Sequence, residues 1–386
     1  MSQALNPIES LFRRLRAQGR KIDLLHSGNP NEQGFRLPPE ALDAAYRDYF
    51  QRQEYRPHPK GLPAARQAIA DYYAENGATL DPENILLTSG TSESFLHLFH
   101  LLGAPGGNFL TPAPAYPLFD AIAEMAKVEL RHYPLREDRG WRIDLEGLEA
   151  GCDDRSRGIF LISPHNPTGA VARPEEIRAL VDLCERRKLA LICDEVFAEF
   201  YFGEGIFPRP LALAKPRLLF TLNGLSKMFA LPGLKLSWIG VSGEASLVAE
   251  AVDRLETQAD TFLSCHIPIQ EALPRIFKQG ATFLSEYRGE VRRRRDLALR
   301  ILDGSEKVGV VEPAGGFYLT AEIRQPFPLE EEEFVLRLME EKGVFVHPGY
   351  FYDYERGVHF IVSFLTEPGV LQRGLEAALE LIHKYR

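Results

Sequence analysis

The fold is decided by a short apolar stretch in the middle of the chain, residues 189–197, which reads LALICDEVF. Its first five residues predict a buried strand, and two carboxylates, Asp194 and Glu195, follow directly. Open α/β sheets commonly bind their ligands at the carboxyl ends of such strands. A carboxylate in this position is also typical of a helix cap, so the pair alone leaves both interpretations open.

Similar apolar segments recur on both sides of this strand and alternate with helical patterns. Further strands are predicted over residues 84–88, 158–163, 218–222 and 236–241. Helices fall between several of them, such as the one that Pro174 starts. Strands this apolar, alternating with helices, predict an α/β fold with a mostly parallel sheet that helices cover on both faces.

The pattern changes after about residue 281. A long charged helix passes through residues 292–302, strands are predicted over 317–323 and 358–364, and a last helix follows Pro368. We expect a large domain over residues 45–280 and a smaller α+β domain that combines residues 1–44, an N-terminal arm, with residues 281–386. The four arginines at 292–295 are interpreted as a solvated helix face rather than a nucleic-acid patch, because acidic residues flank them.

Composition limits the possible partners and compartments. The 386 residues contain 45 Lys and Arg against 54 Asp and Glu, a net charge of −9, which argues against nucleic acid as a partner. No run of about 18 apolar residues predicts a membrane span, and the first arginines have no apolar signal segment beside them. The cysteines lie far apart, which predicts reduced core thiols in a cytoplasmic protein and neither disulfides nor a metal site: Cys152, Cys184, Cys193 and Cys265.

A second motif, SGTSE at residues 89–93, stands between a predicted strand and a predicted helix. The free amides of a helix N-terminus, with small hydroxyls and a glycine that allows close approach, suit a phosphate group. Simple capping of the helix by serine or threonine is the alternative.

Two more motifs follow predicted strands. The segment SPHNPTG occupies residues 163–169 and by itself indicates only a turn. The segment NGLSK occupies residues 223–227, and LPGLK follows at 231–235. A lysine beside a strand end is normally a surface residue with its stem on apolar neighbours.

In this order and spacing the four motifs resemble those of the fold type I pyridoxal-phosphate enzymes, specifically the class I/II aminotransferases. The resemblance covers nearly the whole chain and implies a large-domain sheet of the seven-stranded type. It also implies that Lys227 forms a Schiff base with the aldehyde of pyridoxal 5'-phosphate, that Asp194 pairs with the pyridine nitrogen, and that Asn166 bonds the ring oxygen.

The same resemblance implies the remaining contacts. The phosphate would be held by Gly90, Thr91, Ser92, Ser226 and Lys235. Tyr116 would stack on the ring, and Gly28 would lie in the arm that binds substrate. Tyr55 would reach the phosphate of the neighbouring subunit, which implies a homodimer with shared active sites.

The activity implied is transamination from an amino acid or related amine to a 2-oxo acid. A lyase or decarboxylase that uses the same cofactor is the alternative enzyme class, because the motifs report the cofactor more directly than the bond that breaks. A transcription regulator with an aminotransferase-like sensor is a more distant alternative. Such regulators carry an added basic domain, whereas the pattern here begins within the first thirty residues and the chain is acidic.

Four positions depart from the family pattern. Lys235 replaces a phosphate-binding arginine, Gly224 replaces a hydroxyl residue, and Phe197 replaces a tyrosine. The fourth, Ile361, stands where the family has the arginine that binds the substrate carboxylate. His359 alternates onto the same strand face, where a substrate-binding and a structural role are both open. Either another residue supplies the positive charge for a carboxylate, or the substrate differs from an ordinary α-amino acid. We expect a neutral or apolar substrate, or one held by its distal end, and weak or absent activity on aspartate and glutamate.

Overall fold

The strands place the predicted sheets in a definite order. The structure is a computed structural model that describes residues 6–104, 106–354 and 356–385. Its strands are β1 Asp23–Leu24, β2 Ile85–Thr88, β3 Asn108–Ala113, β4 Glu129–Arg136, β5 Arg142–Ile143, β6 Ser156–Ile162, β7 Ala190–Asp194, β8 Leu218–Gly224, β9 Ser237–Gly243, β10 Val308–Val310, β11 Tyr318–Ile323, β12 Val344–Phe345, β13 His347–Pro348 and β14 His359–Ser363.

The helices fill the intervals, as the alternation predicts. They are α1 Pro7–Ala17, α2 Glu40–Arg52, α3 Pro63–Glu75, α4 Thr91–Leu102, α5 Leu118–Ala126, α6 Leu145–Gly151, α7 Pro174–Arg187, α8 Pro210–Leu213, α9 Leu225–Met228, α10 Ala245–Phe262, α11 Ile267–Gln279, α12 Ala281–Leu302, α13 Glu331–Arg337 and α14 Pro368–Lys384. Within the described ranges, none of these helices combines the length and the apolar character needed to cross a membrane.

The large sheet has the order β2-β9-β8-β7-β6-β3-β4-β5. Strands β8, β7, β6, β3 and β4 are parallel, while β9 runs antiparallel to both of its neighbours, so β2 points the same way as β8. The mostly parallel sheet is therefore confirmed. Seven strands form its body, and the two-residue strand β5 adds an eighth, antiparallel to β4.

Both faces of this sheet are covered by helices because its central strands are apolar on both sides. On one face Ile192 and Phe220 pack against a cluster that includes Phe99 of α4. On the other face Leu191 and Leu219 pack against a cluster that includes residues of α7. Burying each such side chain contributes about 1.5–3 kcal/mol, so the sheet is a rigid base for residues at its edge.

A second, antiparallel sheet has the order β10-β11-β14-β13. Its apolar face belongs to one core cluster with residues of α1, α12 and α14, such as Leu11, Val291 and Leu375. The parallel pairing of β1 with β12 ties the N-terminal segment to this part of the chain. In contrast, α2 contributes Ala45 to a cluster with α3 and α11.

The arginine run on α12 corrects one expectation. Arg293 is exposed, but Arg294 and Arg295 are buried rather than solvated. Arg294 donates to the Leu365 carbonyl at 2.5 Å, and Arg295 donates to the Pro313 carbonyl at 2.9 Å. These arginines lie over the rings of Phe35 and Phe202, respectively, so they fasten α12 to surrounding loops.

Candidate active site

Several parallel strands end at one edge of the large sheet, and the four sequence motifs follow those ends. A cavity of about 320 Å³ opens there. Nine of the twelve predicted site residues line it: Gly90, Thr91, Ser92, Tyr116, Asn166, Asp194, Ser226, Lys227 and Lys235. The motifs meet because strands that run in the same direction bring their carboxyl ends to a common edge.

Lys227 lies on the short helix α9, directly after β8. Its Nζ donates to the carbonyl oxygen of Gly28 at 2.8 Å. Burial lowers the pKa of Lys227 to about 8, because an ammonium group loses its hydration in the cavity. A substantial fraction of this amine is therefore neutral near pH 8, as a nucleophile or a base requires.

Gly28 meets Lys227 through its backbone and leaves no room for a side chain. A Cβ atom at this position would lie 1.8 Å from the Tyr318 hydroxyl oxygen, which no normal contact allows. Sequence reasoning placed Gly28 in the substrate arm, and the structure brings it against the lysine.

Asp194 ends β7, and its carboxylate accepts a hydrogen bond from the Val196 amide at 3.0 Å. Burial raises its pKa to about 7. The neighbouring Glu195 has a different role, because it pairs with Arg209 at 3.0 Å and both groups are buried. Of the two carboxylates in the motif, Asp194 alone lines the cavity.

The amino end of α4 forms one end of the cavity. Gly90 is the residue before the helix and has no side chain to cap it, while the Glu93 carboxylate accepts the Ser89 amide at 2.7 Å. A Cβ atom on Gly90 would lie 3.1 Å from Lys235 Nζ. Helix amides and a lysine ammonium thus converge on a space suited to a small anion.

The middle of the cavity is suited to a flat ring with a polar substituent. Tyr116 lines it, and the buried amide oxygen of Asn166 has no hydrogen-bond partner among the described residues. The neighbouring His165 contacts the Thr168 hydroxyl at 2.9 Å, and burial lowers the pKa of His165 to about 3. This histidine is therefore neutral, and Asn166 is the polar group that remains available to a ligand.

Two departures from the family pattern have structural reasons. A Cβ atom on Gly224 would lie 2.2 Å from the Ser237 hydroxyl oxygen on the paired strand β9, so a larger residue does not fit. Phe197 packs edge-on against Phe317, with ring centroids 4.9 Å apart. Its ring serves the core and supplies no hydrogen bond to the cavity.

Three predicted site residues lie outside the cavity lining. Gly28 touches it through Lys227, as described above. Tyr55 is 63% exposed, in the segment between α2 and α3. His359 is buried, contacts the Glu137 carboxylate at 3.2 Å and packs against Tyr354, with ring centroids 4.4 Å apart and the planes tilted by 30°. The structure therefore gives His359 a set of structural contacts on β14.

Sequence reasoning missed most of the apolar lining. These residues are Phe95, Leu118, Phe119, Ile122, Ile162, Val196, Phe197, Pro232 and Tyr318, of which only Phe197 was considered. A usable signal existed for Tyr318, which begins β11 and alternates with the core residues Phe317 and Leu319.

The sequence model of the family described as "Aminotransferase class I and II" matches residues 20–374. The chain belongs to this family. Its fold is that of the fold type I pyridoxal-phosphate enzymes, and it is a pyridoxal-phosphate-dependent aminotransferase.

Curated relatives support the same family. The chain is 28% identical to the glutamate-pyruvate aminotransferase AlaA of Escherichia coli strain K12, covering 98% of this chain and 95% of the relative. It is also 28% identical to an alanine aminotransferase of Mycobacterium tuberculosis strain H37Rv, covering 98% and 89%. A crystal structure of an aminotransferase from Escherichia coli superposes with a TM-score of 0.91 at 27% identity, covering 98% and 95% of the two chains.

The cavity of this aminotransferase fits its cofactor. The Asn166 amide would contact the ring, the narrow approach at Gly90 would hold an anion, and the buried Asp194 carboxylate would face a pyridine nitrogen. Lys227 would supply the amine for an aldehyde. The Asn166 oxygen lacks a hydrogen-bond partner among the described residues, and burial disfavours the charges of Asp194 and Lys227.

Proposed function

We propose that this aminotransferase carries its cofactor on Lys227 and transfers an amino group from an amino acid or amine to a 2-oxo acid in two half-reactions. The observation that carries the proposal is that one cavity holds both a lysine with a lowered pKa and a carboxyl group with a raised pKa. The two groups lie at the ends of the adjacent strands β8 and β7.

Bound pyridoxal phosphate supplies an aldehyde that reacts with amines and a ring that accepts the electrons left behind by a departing proton. Lys227 first holds the cofactor through its Nζ. When a substrate amine takes its place, the freed Lys227 amine would accept the proton of the substrate carbon and return it to complete the transfer. A pKa of about 8 suits both directions of this transfer.

Asp194 holds the proton of the pyridine nitrogen in place. An isolated carboxylate is disfavoured at this depth, as its raised pKa shows, but a pyridinium partner reverses that penalty. The phosphate is bound by the α4 amides with Thr91, Ser92, Ser226 and Lys235, and Tyr116 and Asn166 orient the ring. Contacts at three separate points would hold the cofactor in one orientation toward the substrate.

Lys227→Ala tests this assignment, with Lys215→Ala as a control at an exposed lysine. We expect the first variant to fold and to bind cofactor without a covalent link, while turnover falls by orders of magnitude. Borohydride reduction followed by peptide mapping should place the cofactor on residue 227 in the control. Attachment to another lysine would refute the assignment.

Single-turnover analysis separates transamination from the lyase and decarboxylase alternatives. A transaminase leaves the cofactor in its pyridoxamine form and releases one oxo acid per site. Release of carbon dioxide, or of an eliminated group, with the cofactor unchanged would assign the other reaction class.

We also propose a homodimer in which Tyr55 reaches the neighbour's phosphate. The proposal is supported by a surface of two segments that carry exposed apolar side chains, Phe50 and Tyr55 in one and Phe262 and Leu263 in the other. Hydrogen bonds between His58 and Ser264, at 3.0 and 2.9 Å, hold the two segments of this surface together. Exposed apolar patches of this kind mark interfaces.

Mixed dimers test the shared site. Subunits with Tyr55→Ala and subunits with Lys227→Ala are combined, and each homodimer is expected to be weakly active or inactive. If sites are shared, mixing should restore one site per heterodimer that has both an intact Lys227 and the neighbour's intact Tyr55. Full activity of a separated monomer would exclude the arrangement.

The domain division at residues 45–280 stays part of the proposal, with residues 1–44 and 281–386 as the small domain. Residues 1–5, Glu355 and Arg386 of that span lie outside the described residues. The shared core of α1, α12 and α14 supports it, although α2, which begins before residue 45, packs with the large domain. Free thiols on all four cysteines support a cytoplasmic location.

A further inference from the structure

The second sheet presents one face to the active-site cavity. Tyr318 of β11 lines the cavity and pairs with Ser363, while Thr320 pairs with Ile361. Directly paired residues of an antiparallel ladder point to the same face, so Ile361 shares the face of Tyr318. The opposite face carries Leu319 and Val362, which belong to the core.

No cation on this face is free to bind a substrate anion, within the part of the chain that the structure describes. Ile361 itself is fully buried. His359 lies between the carboxylates of Glu137 and Glu331, at 3.2 and 3.9 Å. His347 pairs with Ile361 from the other side, and burial lowers the pKa of His347 to about 3, which leaves it neutral.

The cations that do line the cavity are already used. They are Lys227, which holds the cofactor, and Lys235, which faces its phosphate. Asp194 is matched by the pyridine nitrogen. A phosphate carries about two negative charges near neutral pH, so the described residues of one subunit leave no spare positive charge in the loaded cavity for a substrate carboxylate.

Two neutral donors remain. Tyr318 and Tyr116 line the cavity, and neither hydroxyl has a hydrogen-bond partner among the described residues. Burial raises the pKa of both phenols, so they stay protonated. The walls beside them are apolar, including Leu118 and Phe119.

We propose that the preferred substrates are primary amines in which the carbon that bears the amine carries an uncharged group in place of a carboxylate. A hydroxymethyl group that forms a hydrogen bond with the Tyr318 hydroxyl is one example. The inference rests on the proposed transamination at Lys227. Burying an unpaired carboxylate costs far more than burying a hydroxyl that finds a partner.

The test uses the holoenzyme and pairs of donors that differ in one group: L-phenylalaninol against L-phenylalanine, and L-alaninol against L-alanine. The second-order rate constant for conversion of the cofactor to its pyridoxamine form is measured for each donor. We expect the alcohol to react at least about tenfold faster in both pairs, a modest ratio for an unpaired buried charge. Equal rates, or faster reaction of the amino acids, would overturn the inference and leave transamination intact.

A binding measurement keeps the two proposals separate. Calorimetry compares 3-phenylpropanol with 3-phenylpropionate, which lack an amine and cannot react. Tighter binding of the alcohol is expected, and tighter binding of the carboxylate would overturn the substrate inference. If no donor converts the cofactor while the alcohol still binds more tightly, transamination fails but the charge preference of the cavity stands.

Three variants test which residues cause the preference for uncharged donors. Tyr318→Phe should lower the rate constant of phenylalaninol by about tenfold and leave 2-phenylethylamine, which has no hydroxyl, unchanged. Tyr354→Phe is the matched control, because its hydroxyl contacts Thr320 at 2.8 Å and does not line the cavity. Ile361→Arg should raise reaction with phenylalanine. Equal losses for both amines in Tyr318→Phe would refute the hydroxyl contact, even if Ile361→Arg fails to fold.

Discussion

Asp194→Asn in the cofactor-free protein tests the electrostatics of the cavity. Asp194 is buried, and its main partner is the Val196 amide. Burial raises the pKa of Asp194 from 3.8 to about 7, against the opposing effect of that hydrogen bond. Asparagine keeps an oxygen that accepts from the Val196 amide and removes only the charge. The substitution should therefore stabilise the empty protein.

The magnitude follows from the two pKa values. A pKa that is higher in the folded state means that folding stability falls as pH rises, here between about 3.8 and 7. Each pH unit in that window lowers the free energy of unfolding by about 1.4 kcal/mol. The loss caused by Asp194 is therefore about 2 kcal/mol at pH 5 and about 4 kcal/mol above pH 7. Asp194→Asn should thus gain about 3 kcal/mol more at pH 8 than at pH 5, because two pH units of the window separate pH 5 from the folded pKa.

Urea unfolding of the cofactor-free protein at both pH values, followed by circular dichroism, measures this difference. Asp182→Asn on α7 is the control, because Asp182 is exposed and its substitution should shift the two unfolding curves equally. With cofactor bound, the sign should reverse, since asparagine cannot pair with a pyridinium. Destabilisation of the empty Asp194→Asn protein by the same amount at pH 5 and pH 8 would refute the reasoning.

Two further predictions concern Lys227 and Gly224. Capture of pyridoxal phosphate by the cofactor-free protein should have a pH midpoint near 8, with Nα-acetyl-lysine as the reference for the cofactor's own titration; a midpoint above 10 would show that Lys227 is not desolvated. Gly224→Ala should destabilise the fold by about 1–3 kcal/mol in urea, and adding Ser237→Gly should recover part of the loss, because the new Cβ meets the Ser237 side chain. No recovery in the double variant would place the cost elsewhere.

The large sheet was predictable because its signal is local. Apolar runs such as residues 189–193 and 218–222 differ little from β7 and β8 as observed. The meeting of the four motifs was predictable for a related reason, since parallel strands bring their ends together. Motif residues such as Asp194 and Lys227 could be identified without knowing how distant segments of the chain pack.

Features that depend on distant partners could not be predicted. Arg294 and Arg295 resemble solvated residues in sequence, yet they bond carbonyls of residues far along the chain. The small residue at Gly224 is explained by Ser237, and only the register of β8 with β9 shows that they meet. His359 was considered for substrate binding because its strand face was known, but its carboxylate partners Glu137 and Glu331 were not.

One physical cause links the stability of this protein to its chemistry. The same burial opposes the charge of Asp194 and the charge of Lys227, which raises one pKa and lowers the other. The empty cavity is therefore unfavourable for the fold, and in the proposed arrangement pyridoxal phosphate would relieve it at both points, by giving the carboxylate a cation and by consuming the amine. Because this relief exists only in the folded state, cofactor binding must stabilise folding. The stabilisation that the cofactor gives the Asp194 carboxylate grows until about pH 7, and the neutral fraction of Lys227 grows through pH 8. The cofactor should therefore be bound most tightly at slightly alkaline pH, where the lysine also serves as a base.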